Sequence, residues 1–371
     1  MLDTTKTEEQ SLMLGNRLIK RFKHLRKWAK RTNISCYRLY DKDIPEIPLA
    51  IDFYEDETEE KYLVIALYER PYERNQTEEE FWFSTMKKTA SDVLHIPYNN
   101  IYGKIRRHQK GDNQYEKTGT INSSDSSNKS QQLIIREQGQ RFKINLSDYL
   151  DTGLFFDHRP LRLFIRNNCR KKDVLNLYSY TGSFSVYAAT GKARSICSVD
   201  LSNKYLKWSE ENLQLNGITT GLAESKVGKD VFGDSENSSA QSEYLPGAKY
   251  VFVNGDVFDF LYEARRQKKQ WDLIILDPPT FSNSKKTSET LDINRDWSKL
   301  VTLCLRCLAP QGILYFSTNS RRLKFSEKEI TVPSKCTIEV TDITAQTIPE
   351  DYRNSKIHRC WKIVNTAMQQ V

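Results

Sequence analysis

The sequence predicts an α/β fold: a mostly parallel seven-stranded sheet with helices on both faces and an antiparallel hairpin at one edge. Three observations predict it. From about Ser147 onward, apolar strand-like runs alternate with helical stretches at the spacing of βαβ units. Near the end of the chain, Cys336 to Asp342 and His358 to Val364 read as two strands without a full helix between them, which suits an antiparallel pair at the sheet edge. Ahead of Ser147, several strand-like runs surround a single helical stretch, the pattern of a small α+β domain.

Taken in order, residues 1–14 are polar and are expected to form a disordered tail. Residues 15–32 are expected to form a basic amphipathic helix, with Leu18, Phe22, Leu25 and Ala29 at helical spacing. Residues 33–146 would form the α+β domain. Its strands are Leu49 to Tyr54, Tyr62 to Tyr68, Ile101 to His108, Gln132 to Arg136 and Arg141 to Leu146, and its helix runs from Glu78 to Leu94. Residues 147–371 would form the larger domain. Its parallel strands are Val174 to Tyr178, Ser195 to Val199, Lys249 to Val253, Trp271 to Leu276 and Gly312 to Phe316. Helices start at Ser183, Asn203 and Asp256, and a long one runs from Leu291 to Leu308, stopped by Pro310. Two polar, low-complexity inserts interrupt the pattern, Ile121 to Ser130 and Thr219 to Gly247, the second expected to be mobile.

Composition narrows the function classes. The chain has 371 residues, 38% apolar and 28% charged, which is a globular balance. Its apolar runs are too short to span a bilayer, and Met1 to Gln10 lack the apolar core of a secretory signal. Seven scattered Cys suit reduced thiols in a cytoplasmic protein. The net charge of +8 equals the 8 Lys and Arg residues between Gly15 and Arg31, a stretch without an acid. Such a face attracts phosphate backbones, although a solvated surface helix carries the same pattern. Lys104, Arg106, Arg107, Lys110 and Lys117, with Tyr102 and Tyr115 among them, form a second candidate RNA grip.

In a doubly wound sheet, ligands bind beyond the carboxyl ends of the strands. Four such ends stand out here. Asn176-Leu-Tyr-Ser-Tyr-Thr-Gly-Ser183 is a small-residue turn leading into a helix, without the glycines of a dinucleotide fingerprint. Val199-Asp200-Leu201-Ser202 offers a carboxylate suited to the two hydroxyls of a ribose. Gly255-Asp256 could meet an adenine edge or simply cap a helix. Asp277-Pro278-Pro279-Thr280-Phe281 is a stiff loop ending in a flat aromatic face.

These four ends, in this order, resemble the class I S-adenosylmethionine-dependent methyltransferases, whose sheet is Rossmann-like. The segment Asp151-Thr-Gly-Leu-Phe-Phe-Asp-His-Arg159 is similar to the TGxFxDxR segment of ribosomal RNA methyltransferases. Together with Asp277 to Lys285 and the basic Gly15 to Arg21, it most resembles the half of the bacterial 23S rRNA methyltransferase that makes N7-methylguanosine. In some bacteria that half is fused behind an N2-guanine methyltransferase, which implies a separate enzyme of that kind as a candidate partner. The resemblance covers about residues 13–368. It implies S-adenosyl-L-methionine as cofactor. Tyr178, Ser179, Tyr180, Thr181 and Gly182 would line its methionine part, Asp200 would hold its ribose, and Asp256 and Val257 its adenine, with Leu201 and Ser202 also in contact with the cofactor. Phe155, Asp157 and Arg159 would close the pocket, with Arg159 toward the methionine carboxylate. Asp277, Pro278, Pro279, Thr280 and Phe281 would face the target base. The resemblance implies no metal.

Guanine N7 carries a free lone pair and needs no deprotonation, which suits a sequence with no evident general base. His158 is read as structural. Cytosine C5 transfer needs a nucleophilic Cys after the fifth strand, where the chain has Tyr315-Phe-Ser-Thr-Asn319. Cys304 and Cys307 are expected to be packed on a helix. Methylation of an exocyclic amine stays open, because a carboxylate at Asp277 can accept from an amine. Two rivals are a non-catalytic RNA-binding module and an oxidoreductase on a similar sheet. The N7 edge is unreachable in the deep, narrow major groove of A-form RNA, so the substrate is expected to be naked or early-assembly 23S rRNA.

Overall fold

The computed structural model describes residues 4–69, 75–106, 130–219, 224–226, 249–282, 290–334 and 336–366. The chain divides into two units: residues 1–156 with Glu350–Asn354, and residues 157–349 with 355–371.

The first unit opens with helix α1, Thr4–Thr32. The helix starts eleven residues before Gly15, so the predicted disordered tail is corrected: residues 4–14 are helical. Their burial gives the reason. Thr7, Gln10, Leu14, Leu18, Leu25 and Ala29 fall on one buried stripe at spacings of three, four or seven. A polar-looking start is thus one face of a packed helix. Gln10 accepts a hydrogen bond from the indole of buried Trp82 at 2.6 Å. Gly15 lets α1 approach α2 (Gln76–Leu94) closely, since a Cβ there would meet Val93 at 3.3 Å.

Strands β1 (Cys36–Asp41), β2 (Leu49–Glu55) and β3 (Lys61–Tyr68) form an antiparallel meander. Helix α2 then crosses over to β4 (Ile101–Arg106), which pairs parallel to β3. Strand β1 is an element that the sequence pattern did not suggest. Strands β5 (Gln132–Glu137) and β6 (Gln140–Asn145) form a hairpin. Its two-residue turn has Gln138 at φ 50° and Gly139 at φ 84°, the left-handed pair that a tight hairpin requires.

The boundary after residue 146 is also corrected. Asp151 pairs with Arg106 at 2.7 Å, Thr152 meets the Tyr54 hydroxyl at 3.0 Å, and Lys104 donates to the Tyr149 carbonyl at 2.6 Å. These bonds hold residues 147–156 in the first unit. Glu350–Asn354 join it because Arg21 donates to the Asp351 carbonyl and the Asp351 carboxylate accepts from the Arg38 backbone. Lys104 and Arg106 are therefore committed internally and do not form the RNA grip suggested for them. Arg107, Lys110, Tyr115 and Lys117 lie outside the described residues.

The second unit begins with α3 (Arg159–Asn168), β7 (Asp173–Leu177), α4 (Ser183–Thr190), β8 (Ser195–Asp200) and α5 (Asn203–Leu215). Strands β9 (Glu224–Lys226) and β10 (Lys249–Asn254), helix α6 (Val257–Arg266) and β11 (Trp271–Leu276) follow. The chain ends with β12 (Phe281–Ser282), β13 (Leu291–Asp292), α7 (Ile293–Arg306), β14 (Leu308–Thr318), β15 (Ile338–Asp342), the single turn α8 (Thr344–Thr347) and β16 (Arg359–Asn365). The main sheet has the order β15-β16-β14-β11-β7-β8-β10-β9.

The seven predicted strands form this sheet, and among the described residues a short eighth joins its edge. The addition is the short β9, parallel to β10, which lies in the predicted 219–247 insert. The rest of that insert, beyond Thr219, lies outside the described residues, as do residues 121–129 of the first insert. The edge pair β15 and β16 is antiparallel as expected. The long helix stops at Arg306, and β14 starts before Pro310 and runs through it. The register with β11 jumps from Trp271–Leu308 to Leu273–Ile313, so Pro310 sits in a bulge where its missing N–H leaves no ladder bond broken. Chain order reverses about β7: β8 and β10 follow on one side, β11 and β14 on the other. That reversal opens a crevice at the carboxyl ends of these strands. Among the described residues, no helix is long and apolar enough to cross a membrane.

Leu14 distinguishes a packed helix from a tail. Leu14→Ala is expected to lower the unfolding free energy by about 2–4 kcal/mol in a denaturant titration, against less than about 0.5 kcal/mol for a residue in a tail.

Candidate active site

The site is built at the carboxyl ends of β7, β8, β10 and β11 in the second unit. After β7 the backbone turns through two left-handed non-glycine residues, Tyr178 at φ 55° and Tyr180 at φ 50°, and then Gly182 at φ 74°. Such conformations are costly for residues with a Cβ and persist only where surrounding bonds impose them. Asp200 imposes them here. One carboxylate oxygen accepts from the Tyr180 backbone N–H at 2.8 Å and the other from the Ser202 N–H at 2.8 Å. The Ser179 N–H is held by the Val199 carbonyl at 3.0 Å, and the Thr181 carbonyl by the Asn212 side chain at 2.8 Å. Gly182 is the only residue type that fits its position, because a Cβ would lie 1.8 Å from Ser209 Oγ. Burial pushes the Asp200 carboxyl up to about 6, opposed by those two backbone N–H groups.

Ser179 Oγ is buried and has no hydrogen-bond partner among the described residues. A buried hydroxyl without a partner is costly. Beside the largely buried carboxylate of Asp200, it suits a polar ligand that lies in the turn. Tyr180 and Tyr205 meet edge to face at 4.5 Å beside the same loop. Ser202 caps α5, and the Leu201 carbonyl accepts from Asn254 at 3.0 Å. Asp256 caps α6: one oxygen accepts from the Phe258 and Asp259 N–H groups at 2.8 and 3.2 Å. The Val257 side chain is part of the hydrophobic core, so only its backbone faces outward from that core.

On the other side of the crevice, Asp277 follows β11. Its Oδ1 accepts from the Ser317 hydroxyl of β14 at 2.5 Å. Its Oδ2 lies 3.5 Å from His158 Nε2. Pro278 is buried and Pro279 half-buried, while Thr280 and Phe281 are exposed, Phe281 at 47%. Phe281 thus presents a free ring face beside a carboxylate that is anchored from two directions.

His158 belongs to a buried group that the sequence pattern did not identify. His158 Nε2 and His358 Nδ1 each lie 3.7 Å from Asp157 Oδ2, and the two imidazoles stack at 4.7 Å with a 17° interplanar angle. Burial pushes the Asp157 carboxyl up, but His158, His358 and Arg162 together outweigh it and hold it below the usual carboxylate range. Burial pulls His358 down, against Asp157. The spacing of the three side chains would admit a metal ion. The ring geometry does not, because a metal must lie near the plane of each imidazole it binds, and two stacked planes only 17° apart do not meet within bonding distance of both rings. The sequence signal was present, an Asp-His pair in one segment and a lone His two hundred residues later, but nothing in it linked them. Arg159 is buried at the start of α3. Phe155 lies in the first unit, 44% exposed. Cys304 and Cys307 are fully buried, as expected for packed thiols.

The chain was compared with known proteins. Residues 103–238 match the model of an S-adenosylmethionine-dependent methyltransferase family. Ribosomal RNA large subunit methyltransferase K of Neisseria meningitidis is 41% identical over 94% of this chain and 86% of its own length. Ribosomal RNA large subunit methyltransferase K/L of Pseudoalteromonas atlantica is 38% identical over 97% of this chain. The chain spans only 45% of that protein's length. A solved SAM-dependent methyltransferase from Streptococcus mutans, 21% identical, has the same fold, with a TM-score of 0.65 over 95% of this chain and 81% of that one. The Asp200-bridged turn, its partnerless serine and the loop at Asp277 thus sit in a chain that belongs to the ribosomal RNA large subunit methyltransferase K family of S-adenosylmethionine-dependent enzymes.

Proposed function

We propose that this protein methylates guanine N7 in 23S ribosomal RNA. The observation that carries the reading is the pairing of two anchored carboxylates across one crevice, Asp200 on the cofactor side and Asp277 on the target side. The K-family relatives, named for the large-subunit RNA, support the substrate class.

The residues fit S-adenosylmethionine. Asp200 would accept from the ribose hydroxyls, and its own position is set by the Tyr180 and Ser202 N–H groups. Ser179 Oγ, buried without a partner, would gain one from the amino-acid part, with Tyr178, Thr181 and Gly182 lining the same turn. Leu201, Asp256 and Val257 would border the adenine, with Asp157 and Arg159 behind the pocket. When bound, the cofactor supplies a methyl group on a positively charged sulfur. The protein's task is then alignment and exclusion of water. Asp277 would accept from the donor edge of a guanine while Phe281 stacks on its face, so that the base is held by shape and by charge. N7 transfer moves no proton, and neither Asp277 nor any Cys needs to act as base or nucleophile. The second reading, methylation of an exocyclic amine, is favoured by one observation: the Asp277 carboxylate, fixed through Oδ1 by Ser317, is an acceptor to which an amine N–H can donate.

RNA would be gripped by the exposed face of α1, where Lys20, Lys23, Arg26, Lys27, Lys30 and Arg31 are exposed. Arg17 and Arg21 are excluded from that face, because Arg17 pairs with Asp43 and Arg21 with the Asp351 carbonyl. A separate N2-guanine methyltransferase remains the candidate partner, and the cytoplasm the expected compartment.

The direct test is transfer from labelled S-adenosylmethionine to unmodified large-subunit RNA, with nucleoside analysis of the product. N7-methylguanosine is expected; N2-methylguanosine or N6-methyladenosine would instead establish the second reading. Asp200→Ala is expected to abolish the thermal shift that the cofactor produces, whereas Asp277→Ala should retain that shift and lose transfer by at least about 100-fold. Cofactor affinity should be constant above pH 7 and weaken below about pH 6, because protonation of Asp200 removes an acceptor for the ribose. Calorimetric titration across pH 5–8 measures this. Replacing Lys20, Lys23, Lys27 and Lys30 by Ala should weaken RNA binding and reduce the slope of log K against log salt by about 3–4.

A further inference from the structure

The stacked histidines do more than fill space. Thr347 donates its one hydroxyl proton to the Thr344 carbonyl at 2.9 Å, so it accepts from His358 Nε2–H, also at 2.9 Å. That orientation leaves His358 Nδ1 toward Asp157, buried and without a hydrogen-bond partner. His158 Nε2 lies between two carboxylate oxygens, Asp157 Oδ2 at 3.7 Å and Asp277 Oδ2 at 3.5 Å. The proton of His158 is therefore assigned to Nε2, where it faces acceptors, and Nδ1 is left buried and partnerless. The side chains of Asp157, His158 and His358 are at most 6% exposed, against 24% for Asp277. Of the four, Asp277 is the one that opens to the outside.

We propose that His158, braced by His358, is a positioning residue for methyl transfer: through Oδ2 it orients the Asp277 carboxylate toward the target base. The inference rests on Asp277 facing that base, as argued above. Held in this way, Asp277 presents its negative charge to the positive charge that develops on a ring whose nitrogen takes up a methyl group. The charged and titratable groups around His158 are Asp157 on its own segment, Arg162 of α3, Asp277 after β11 and His358 before β16. Cys360 of β16 also senses Asp277, but burial pushes its thiol far up and keeps it neutral. Phe184 of α4 closes the remaining side, 6.0 Å from the His158 ring.

The test has two arms. In histidine-selective ¹⁵N NMR of the intact protein, Asp277→Asn should shift the ring nitrogen resonances of His158, since the carboxylate oxygen 3.5 Å from Nε2 is replaced by a neutral amide. His24 and His95, on the first unit, should not move. Unchanged His158 resonances overturn the proposal. In the second arm, His158→Gln keeps an N–H donor toward Oδ2 and His158→Leu removes it. At saturating cofactor, kcat should fall at least about 10-fold further in the Leu variant than in the Gln variant, with the cofactor KM unchanged in both. Equal kcat in the two variants overturns the proposal. If the wild-type protein transfers no methyl group to ribosomal RNA, the functional reading fails, and the NMR arm alone still decides whether His158 and Asp277 are coupled.

Discussion

The Asp200 carboxylate is the constraint on which the site depends. It sits at the end of β8 and holds two backbone N–H groups, one in its own turn and one in the turn after β7. A carboxylate is the economical choice for this work, because it offers several acceptor sites on a short stem. By holding Tyr180 it stabilises a run of left-handed residues that would otherwise relax, and that run exposes backbone toward the crevice. Gly182 then packs so closely on Ser209 that the turn has one way to enter α4. The same burial that makes these bonds strong raises the carboxyl to about 6, close enough to neutrality that a ligand's hydroxyls meet an ionised group which has little solvent to lose.

Asp277 is built on a different principle. Two prolines follow it and stiffen the loop. Ser317 from the neighbouring strand fixes one oxygen, and His158 from the entry segment of the unit faces the other. Three parts of the chain far apart in sequence thus converge on one carboxylate: the segment before α3, the end of β11 and the end of β14. Groups that act by alignment need such support, because errors on the order of an ångström cost large factors in rate. The stacked pair His158 and His358 extends the support inward to Thr347, so the orientation of Asp277 is tied to the turn before β16 as well as to its own strand.

Polar residues carry more of the internal architecture than their position in a hydropathy profile suggests. Gln10 is buried on the indole of Trp82, and Lys104 is buried on two backbone carbonyls. Asp351 satisfies an N–H of β1 from a segment more than three hundred residues away. Each replaces water with a specific partner, which is the condition for burying a polar group without a large cost.

The parallel sheet, its edge pair and the four strand ends were legible in the sequence because apolar periodicity and strand-end punctuation are local signals, readable within a window of a few residues. The roles suggested for Asp200 and for the Asp277 loop came from those local patterns, placed in order, together with the family resemblance that they carry. The amino-terminal stretch misled because its buried face is polar and short: Thr7 and Gln10 reveal themselves as interior only against α2 and Trp82. Lys104 and Arg106 looked like a basic patch because charge is visible in sequence, whereas Asp151 and the Tyr149 carbonyl that engage them lie some forty-five residues away. Pro310 looked like a stop, and the bulge that accommodates it is a property of the β11–β14 register. The stack of His158 on His358 is the extreme case. Two hundred residues separate the rings, and only the closing of the sheet, with β16 laid antiparallel on β14, brings them into contact beside Asp277. Sequence determined the elements and the residue types at their ends, since those depend on neighbours along the chain; tertiary structure decided which distant side chains meet, since that depends on neighbours in space.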